Sequence, residues 1–166
     1  MEQPISYIPM DRRQALYRGE KLPDPTYGAA LFADVSGFTP LTERLVQDLG
    51  EQRGAEELTL CLNRVYDALV DELHRYGGSV INFSGDAITC WLEGDNGFRA
   101  TSCALAMQAV MQQVATVQTP SGTITLAMKT AVVTGNARRF LVGNPDVQLI
   151  DVLAGKTLDR LAEAEH

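Results

Sequence analysis

Residues 80–91 read VINFSGDAITCW, in which two short apolar segments rich in β-branched residues lie on either side of a Ser-Gly-Asp turn. This pattern predicts a β-hairpin, with strands over residues 79–83 and 87–92 and with Asp86 at its tip. Asp86 has two interpretations. Either it is a turn residue, which is a common role of aspartate, or the hairpin holds its carboxylate in place for a chemical function.

The segments around the hairpin predict an α+β fold. Besides the hairpin, strands are predicted over residues 27–35, 123–134 and 139–142. Helices are predicted over residues 39–49, 55–75, 96–117 and 157–165, with Thr39 as the cap of the first and Pro40 at its first helical position. This order matches the ferredoxin-like βαββαβ arrangement, a mostly antiparallel sheet with helices packed on it. In that arrangement we expect the first strand to be central and to pair with the next strand.

Length and composition indicate one soluble domain. Residues 1–27 contain four prolines and no sustained period, which predicts an arm or linker, and residues 28–166 form the domain. No apolar segment approaches the roughly 20 residues that span a bilayer. The three cysteines, Cys61, Cys90 and Cys103, lie in apolar surroundings and are odd in number, which predicts reduced core thiols and a cytoplasmic location. The net charge of −7 argues against nucleic-acid binding.

Two aspartates stand where strands end. Asp34 closes the first predicted strand, and Asp86 lies at the hairpin tip, so the fold can place them side by side. Two carboxylates about 4 Å apart repel by roughly 4 kcal/mol at an intermediate dielectric, and a bridging divalent cation would remove that cost. The helix that follows Gly37 could bind phosphate with the amides of Phe38 and Thr39. The alternative is that Asp34 is a helix cap and Asp86 a turn residue.

Four segments in this order and spacing resemble the class III nucleotidyl cyclase catalytic domain, above all the first catalytic half of soluble adenylyl cyclase and its bacterial relatives. They are FADVSGFTPLTE, RGAEELTLCLN, YGGSVINFSGDAITCW and AMKTAVVTG. The resemblance extends from about residue 29 to the C-terminus and is strongest over residues 31–92. It implies the fold described above and an active site between two cyclase domains, which form a dimer or a pseudo-dimer of tandem halves.

The resemblance also implies a reaction and its residues. Asp34 and Asp86 match the two metal-binding aspartates, and the backbone carbonyl of Val35 matches a further metal ligand. Gly37, Phe38 and Thr39 match the phosphate-contacting turn. The implied reaction converts ATP to cyclic AMP and pyrophosphate with two Mg²⁺ or Mn²⁺ ions.

Other family positions are not kept. Asn82 stands where the family has a base-reading lysine. Asp159 and Glu163 align with an asparagine that orients the ribose and an arginine that stabilises the transition state, although Arg160 is close. A glutamate cannot supply the donors of a guanidinium. The chain is therefore expected to be a metal-binding half, a fragment of a longer multidomain protein, and to need a second cyclase domain on the same chain or in a homo- or heterodimer.

Two further functions stay open. The chain could be a catalytically inactive, cyclase-like regulatory or dimerisation module. A diguanylate cyclase shares the topology, but its Gly-Gly-Asp/Glu-Glu-Phe turn is absent from FSGDA. The base-reading residues would lie on the partner, so the choice between ATP and GTP is open as well, with ATP favoured by the resemblance alone.

Overall fold

The computed structural model describes residues 8–144 and 148–166. The strands are β1 Thr26–Ser36, β2 Ser79–Ser84, β3 Ala87–Glu93, β4 Thr116–Thr119, β5 Gly122–Thr125, β6 Ala127–Asn144 and β7 Gln148–Ala154. The helices are α1 Met10–Arg18, α2 Phe38–Leu49, α3 Glu51–Arg75, α4 Phe98–Val114 and α5 Lys156–Ala164. None of the helices in the described ranges is long and apolar enough to cross a membrane.

Five of these strands form one antiparallel sheet in the spatial order β2-β3-β1-β6-β7, and β4 and β5 form a separate hairpin. The predicted α+β, ferredoxin-like fold is thereby confirmed. The expectation that β1 pairs with the next strand is wrong, because β2 lies at the edge of the sheet and β3 lies beside β1. The tight turn after β2 reverses the chain, and this places the second strand of the hairpin against β1.

The central strand β1 is buried on both faces, which explains its nearly continuous apolar sequence. On one face, Leu31 and Val35 pack into a core formed with α2, α3 and α4. On the other face, Ala30 packs with Trp91 and with Leu161 of α5. The predicted core cysteines are buried free thiols, and burial raises the pKa of all three.

The start of α2 and the gap before α3 differ from the prediction. The N-cap of α2 is Gly37, with φ of 103°, so Thr39 and Pro40 are its second and third residues and neither is the predicted cap or first position. The chain turns into the helix directly after β1, two residues earlier than the capping pattern indicates. A single residue, Gly50, separates α2 from α3. Gly54 lies inside α3, where a Cβ would come within 2.9 Å of the backbone of Leu45 in α2.

The second half of the sheet also differs. A single long strand, β6, replaces the two predicted over residues 123–134 and 139–142, and residues 123–125 belong to the β4–β5 hairpin instead. The strands β4 and β7 were not predicted, and α4 ends at Val114 rather than residue 117. β4 and β7 each pair with a strand next to them in the sequence, but their short or mixed sequences lack the alternation that indicates a strand.

Charged groups connect α1 to the sheet. The Arg139 side chain on β6 is fully buried and forms ion pairs with Asp11 of α1 and, at 3.1 Å, with Asp151 of β7. Arg12 of α1 donates to the same Asp151 at 2.7 Å. Residues 10–18, in the segment expected to be an arm or linker, are thus a helix held against β6 and β7. The division at residues 27 and 28 stays a prediction.

Candidate active site

The backbone brings the two predicted aspartates together. Asp34 is opposite Ala87 in the β1–β3 register, and Asp86 is the residue before Ala87 in the hairpin turn. The amide of Val35 donates to the carbonyl of Asp86 at 3.0 Å. Asp34 is partly buried near the C-terminal end of the central strand β1, and Asp86 is exposed in the turn beside it. Val35 is buried, and its carbonyl stays a predicted ligand.

The hairpin turn holds Asp86 in this position. Ser84 pairs with Ala87, which leaves Gly85 and Asp86 as a two-residue connection. Gly85 has φ of 63°, a value that a side chain disfavours and that is typical of the first residue in a type II′ hairpin turn. The Ser-Gly-Asp segment therefore forms the predicted turn, and the same turn fixes the position of Asp86.

A lysine compensates part of the negative charge. Lys129 on β6 is directly opposite Asp34 in the β1–β6 register, and its Nζ lies 3.4 Å from the Asp34 carboxylate. The same Nζ donates to the carbonyl of Glu165, just after the C-terminal end of α5, at 3.3 Å. Sequence reasoning left Lys129 without a role. The pairing of β1 with β6 would have revealed it, because that register places the two residues side by side.

Tyr66 of α3 also belongs to the site, and sequence reasoning missed it. Burial, followed by the negative charges of Asp86 and Asp34, raises the pKa of Tyr66 to about 12. Its ring stacks on Phe38 with centroids 6.4 Å apart and meets Phe83 edge-on at 6.2 Å. In the sequence, the available signal was the hydroxyl of Tyr66 at a position next to the apolar face of α3.

The predicted phosphate-contacting turn follows Asp34 along the chain. α2 begins at Phe38, four residues after Asp34, and the amides of a first helical turn have no partner within the helix. Gly37, Phe38 and Thr39 therefore lie at a helix N-terminus next to the carboxylates, where an anion is favoured.

The donors present fit a hard divalent cation. Two carboxylates and a peptide carbonyl are oxygen ligands of the kind that Mg²⁺ and Mn²⁺ take, with water and phosphate completing the shell. Among residues 8–144 and 148–166 there is no group of three or more His, Cys, Asp or Glu side chains that could form a complete protein cage. A cation here would thus keep open positions for a phosphorylated ligand.

The positions that depart from the family pattern lie elsewhere. Asn82 is exposed on β2 and lines a cavity of about 270 Å³ with Thr89 and residues of β7 and α5. Asp159 and Glu163 are exposed on α5. Arg160 is exposed too, and its Nη1 donates to the carbonyl of Thr134 at 3.0 Å.

Comparison with known proteins connects this geometry to a class. No protein-family model matches the chain. Adenylate cyclase type 10 of Rattus norvegicus and of Homo sapiens are each 39% identical to it over 61 residues, which is 37% of this chain. The chain spans about 4% of the length of these curated relatives.

Solved structures share the fold over most of the chain. A bacterial light-regulated adenylyl cyclase superposes with a TM-score of 0.76 at 20% identity, over 96% of this chain and 46% of that one. The adenylyl cyclase CyaB from P. aeruginosa gives 0.67 at 22% identity, over 87% and 74%. The guanylyl cyclase Cya2 gives 0.67 at 21% identity, over 86% and 70%.

The fold is therefore that of class III nucleotidyl cyclase catalytic domains. The resemblance found in the sequence is confirmed, since curated adenylate cyclases share part of the sequence and solved cyclase domains share the fold. The structures with this fold include adenylyl and guanylyl cyclases, so the fold alone does not select the nucleotide.

Proposed function

We propose that this domain is the metal-binding half of a class III cyclase that converts ATP to cyclic AMP and pyrophosphate. The observation that carries the proposal is the meeting of Asp34 and Asp86 at adjacent strand ends, joined by the bond from the Val35 amide to the Asp86 carbonyl. ATP is preferred to GTP because the curated relatives are adenylate cyclases.

In this function, Asp34, Asp86 and the carbonyl of Val35 would hold two Mg²⁺ or Mn²⁺ ions. Bound metal ions supply Lewis-acid chemistry, which activates the ribose 3′-hydroxyl and offsets phosphate charge. The amides of Phe38 and Thr39 and the N-terminus of α2 bind the triphosphate. Lys129 stands beside Asp34 as a further cation within the site.

The chemical step is an in-line displacement. The 3′-oxygen forms a bond to the α-phosphorus, the bond from that phosphorus to the bridging oxygen breaks, and pyrophosphate leaves. The hydroxyl proton passes to water. The step balances, because cyclic AMP, pyrophosphate and the released proton together contain all the atoms of ATP.

A second cyclase domain completes the site in this proposal. Asn82, Asp159 and Glu163 offer none of the cationic donors that a base-reading lysine and a transition-state arginine would supply. A solved guanylyl cyclase domain of similar fold is described as a dimer, which supports assembly of this kind. The partner could lie on the same polypeptide or on a second chain.

The test mixes this chain with a cyclase domain that carries the lysine, asparagine and arginine, and measures cyclic AMP formed from ATP and Mn²⁺. We expect activity in the mixture and little in either domain alone. Asp34→Asn or Asp86→Asn should lower the rate by about 10³-fold, because the loss of metal binding removes several kcal/mol of transition-state stabilisation.

Asp71→Asn is the matched control, since it removes an exposed carboxylate from α3 outside the site. Near-normal turnover in the Asp34 or Asp86 variant would refute the metal assignment. Robust cyclic AMP production by the chain alone would refute the need for a partner.

A non-catalytic module is the second candidate, and the absence of a cation at positions 82, 159 and 163 favours it. Such a module would bind Mn²⁺ and nucleotide through Asp34 and Asp86 and still form no product with any complementary domain.

The same mixing experiment with GTP in place of ATP decides which nucleotide is the substrate.

A further inference from the structure

Tyr66 lies between the two segments that carry the aspartates. Phe38, on which its ring stacks, comes four residues after Asp34, and Phe83, which meets the ring edge-on, comes three residues before Asp86. The ring is therefore held from both sides by the segments that position the carboxylates. Such aromatic contacts restrict where the hydroxyl can point.

The hydroxyl of Tyr66 is buried and has no hydrogen-bond partner within the part of the chain that the structure describes. Buried polar groups nearly always have a partner, and those that lack one call for an explanation. Burial, followed by the negative charges of Asp86 and Asp34, raises the pKa of this hydroxyl, so it keeps its proton at neutral pH. It is a donor without an acceptor, on a ring held between the segments that carry the two carboxylates.

The present state of Asp34 accounts for the unused donor. Lys129 draws the Asp34 carboxylate, with Nζ at 3.4 Å. A divalent cation placed between the two aspartates would replace the lysine as the counter-charge and turn the carboxylates toward itself. A carboxylate that binds a cation through one oxygen usually needs a hydrogen bond at the other, and such outer partners orient the ligand.

We infer that Tyr66 is a positioning residue of the metal site, whose hydroxyl donates a hydrogen bond to the outer oxygen of Asp34 or Asp86 when a divalent cation binds. The inference rests on the proposed function, since it takes these aspartates as the metal ligands. Tyr66 extends the proposed site to α3, a helix that carries neither aspartate. A tyrosine that serves only to fill space would need its ring and not its hydroxyl.

The experiment uses Tyr66→Phe, which keeps the ring and removes only the oxygen. Binding of Mn²⁺ alone to the full chain is followed by electron paramagnetic resonance of the free ion. We expect the dissociation constant to rise about tenfold, the lower end of what loss of an outer-shell partner costs in metal affinity. Without metal, the variant should melt at the same temperature as the parent or higher, because it no longer buries an unpaired hydroxyl.

A spectroscopic signature separates positioning from packing. Addition of Mn²⁺ to the parent chain should change the tyrosine ultraviolet absorption as the Tyr66 hydroxyl gains an acceptor, and this change should be absent in Tyr66→Phe. Tyr76→Phe, at the C-terminal end of the same helix, is the matched control and should keep both the affinity and the absorption change.

Asp34→Asn distinguishes failure of the inference from failure of the proposed function. If Asp34→Asn abolishes Mn²⁺ binding but Tyr66→Phe binds Mn²⁺ as the parent does, the role of Tyr66 is refuted and the metal site stands. If the parent does not bind Mn²⁺, or if Asp34→Asn binds it unchanged, both are refuted.

Discussion

At the scale of single residues, the site is a balance of charge between Asp34, Asp86 and Lys129. The ammonium group of Lys129 lies beside Asp34 and beside the carbonyl of Glu165, so it offsets negative charge from a side chain and from a helix end. A cation that enters the site competes with this lysine for Asp34. The lysine therefore weakens the attraction of the site for metal alone, although it would favour a negatively charged nucleotide.

Removal of the Lys129 charge tests directly whether this lysine competes with a metal ion for Asp34. Lys129→Gln should bind Mn²⁺ alone about twofold to fivefold more tightly, in keeping with the modest strength of exposed ion pairs. The increase should shrink at high salt, because salt screens exposed charges. Mn²⁺ titration at two ionic strengths measures it, with Lys156→Gln, an exposed lysine at the start of α5, as the control. Weaker Mn²⁺ binding by Lys129→Gln would contradict this interpretation.

At the scale of elements, the packing of α2 against α3 depends on Gly54. A Cβ at this position would lie 2.9 Å from the carbonyl carbon of Leu45 and from the amide nitrogen of Val46. Both neighbours are backbone atoms, so they cannot rotate away as a side chain could. The two helices can approach this closely only because residue 54 has no side chain.

Gly54→Ala should therefore destabilise the domain even though alanine favours a helix by about 1 kcal/mol. The expected net loss is about 1–3 kcal/mol in the free energy of unfolding, since the clash forces the helices apart. Urea denaturation measures it. Asn63→Ala, at an exposed position of α3, introduces no clash and should leave stability unchanged or slightly higher. A Gly54→Ala variant as stable as the parent would show that α2 shifts without cost.

At the scale of the whole molecule, a buried ion network joins the N-terminal helix to the far edge of the sheet. Arg139 and Asp151 are almost completely buried, and Asp11 and Arg12 of α1 complete the network. Burial acts to raise the pKa of Asp151, but its hydrogen bonds to Arg12 and Arg139 and their charges lower it below the usual value. The native state therefore favours the ionised carboxylate.

The lowered pKa of Asp151 defines the pH range in which its carboxylate stabilises the native state. A carboxyl group with a lowered pKa stabilises the native state above its unfolded pKa, about 3.9, and this contribution is lost as pH falls through the folded value. Asp151→Asn should cost about 1–3 kcal/mol at pH 7, because it leaves Arg139 buried with Asp11 as its one remaining charge partner in the network. The difference from the parent should shrink below about pH 4.

Denaturation of both proteins at pH 7 and pH 3 measures this difference. Asp67→Asn is the control, since Asp67 is exposed on α3 and its replacement should change stability little. A difference between parent and Asp151→Asn that is the same at both pH values would exclude a linked proton at Asp151.

Local patterns predicted much of the fold. The compact apolar run identified β1, and the SGD turn identified the hairpin, because an apolar run and turn chemistry are properties of neighbouring residues. The strands β4 and β7 were missed. Both pair with the strand beside them in the sequence, as Thr119 with Gly122 and Phe140 with Val152, so they were missed because their short or mixed sequences lack a clear strand period.

The sequence by itself determined the candidate pair, Asp34 and Asp86, since each follows a recognisable strand or turn and both belong to the motifs that resemble class III cyclases. Only the tertiary structure decided which groups surround that pair. Lys129 reaches Asp34 through the register of β1 and β6, and Tyr66 comes from the part of α3 that lies outside the segments resembling class III cyclases. Strand register and helix packing arise from contacts across the chain, so no local pattern encodes them.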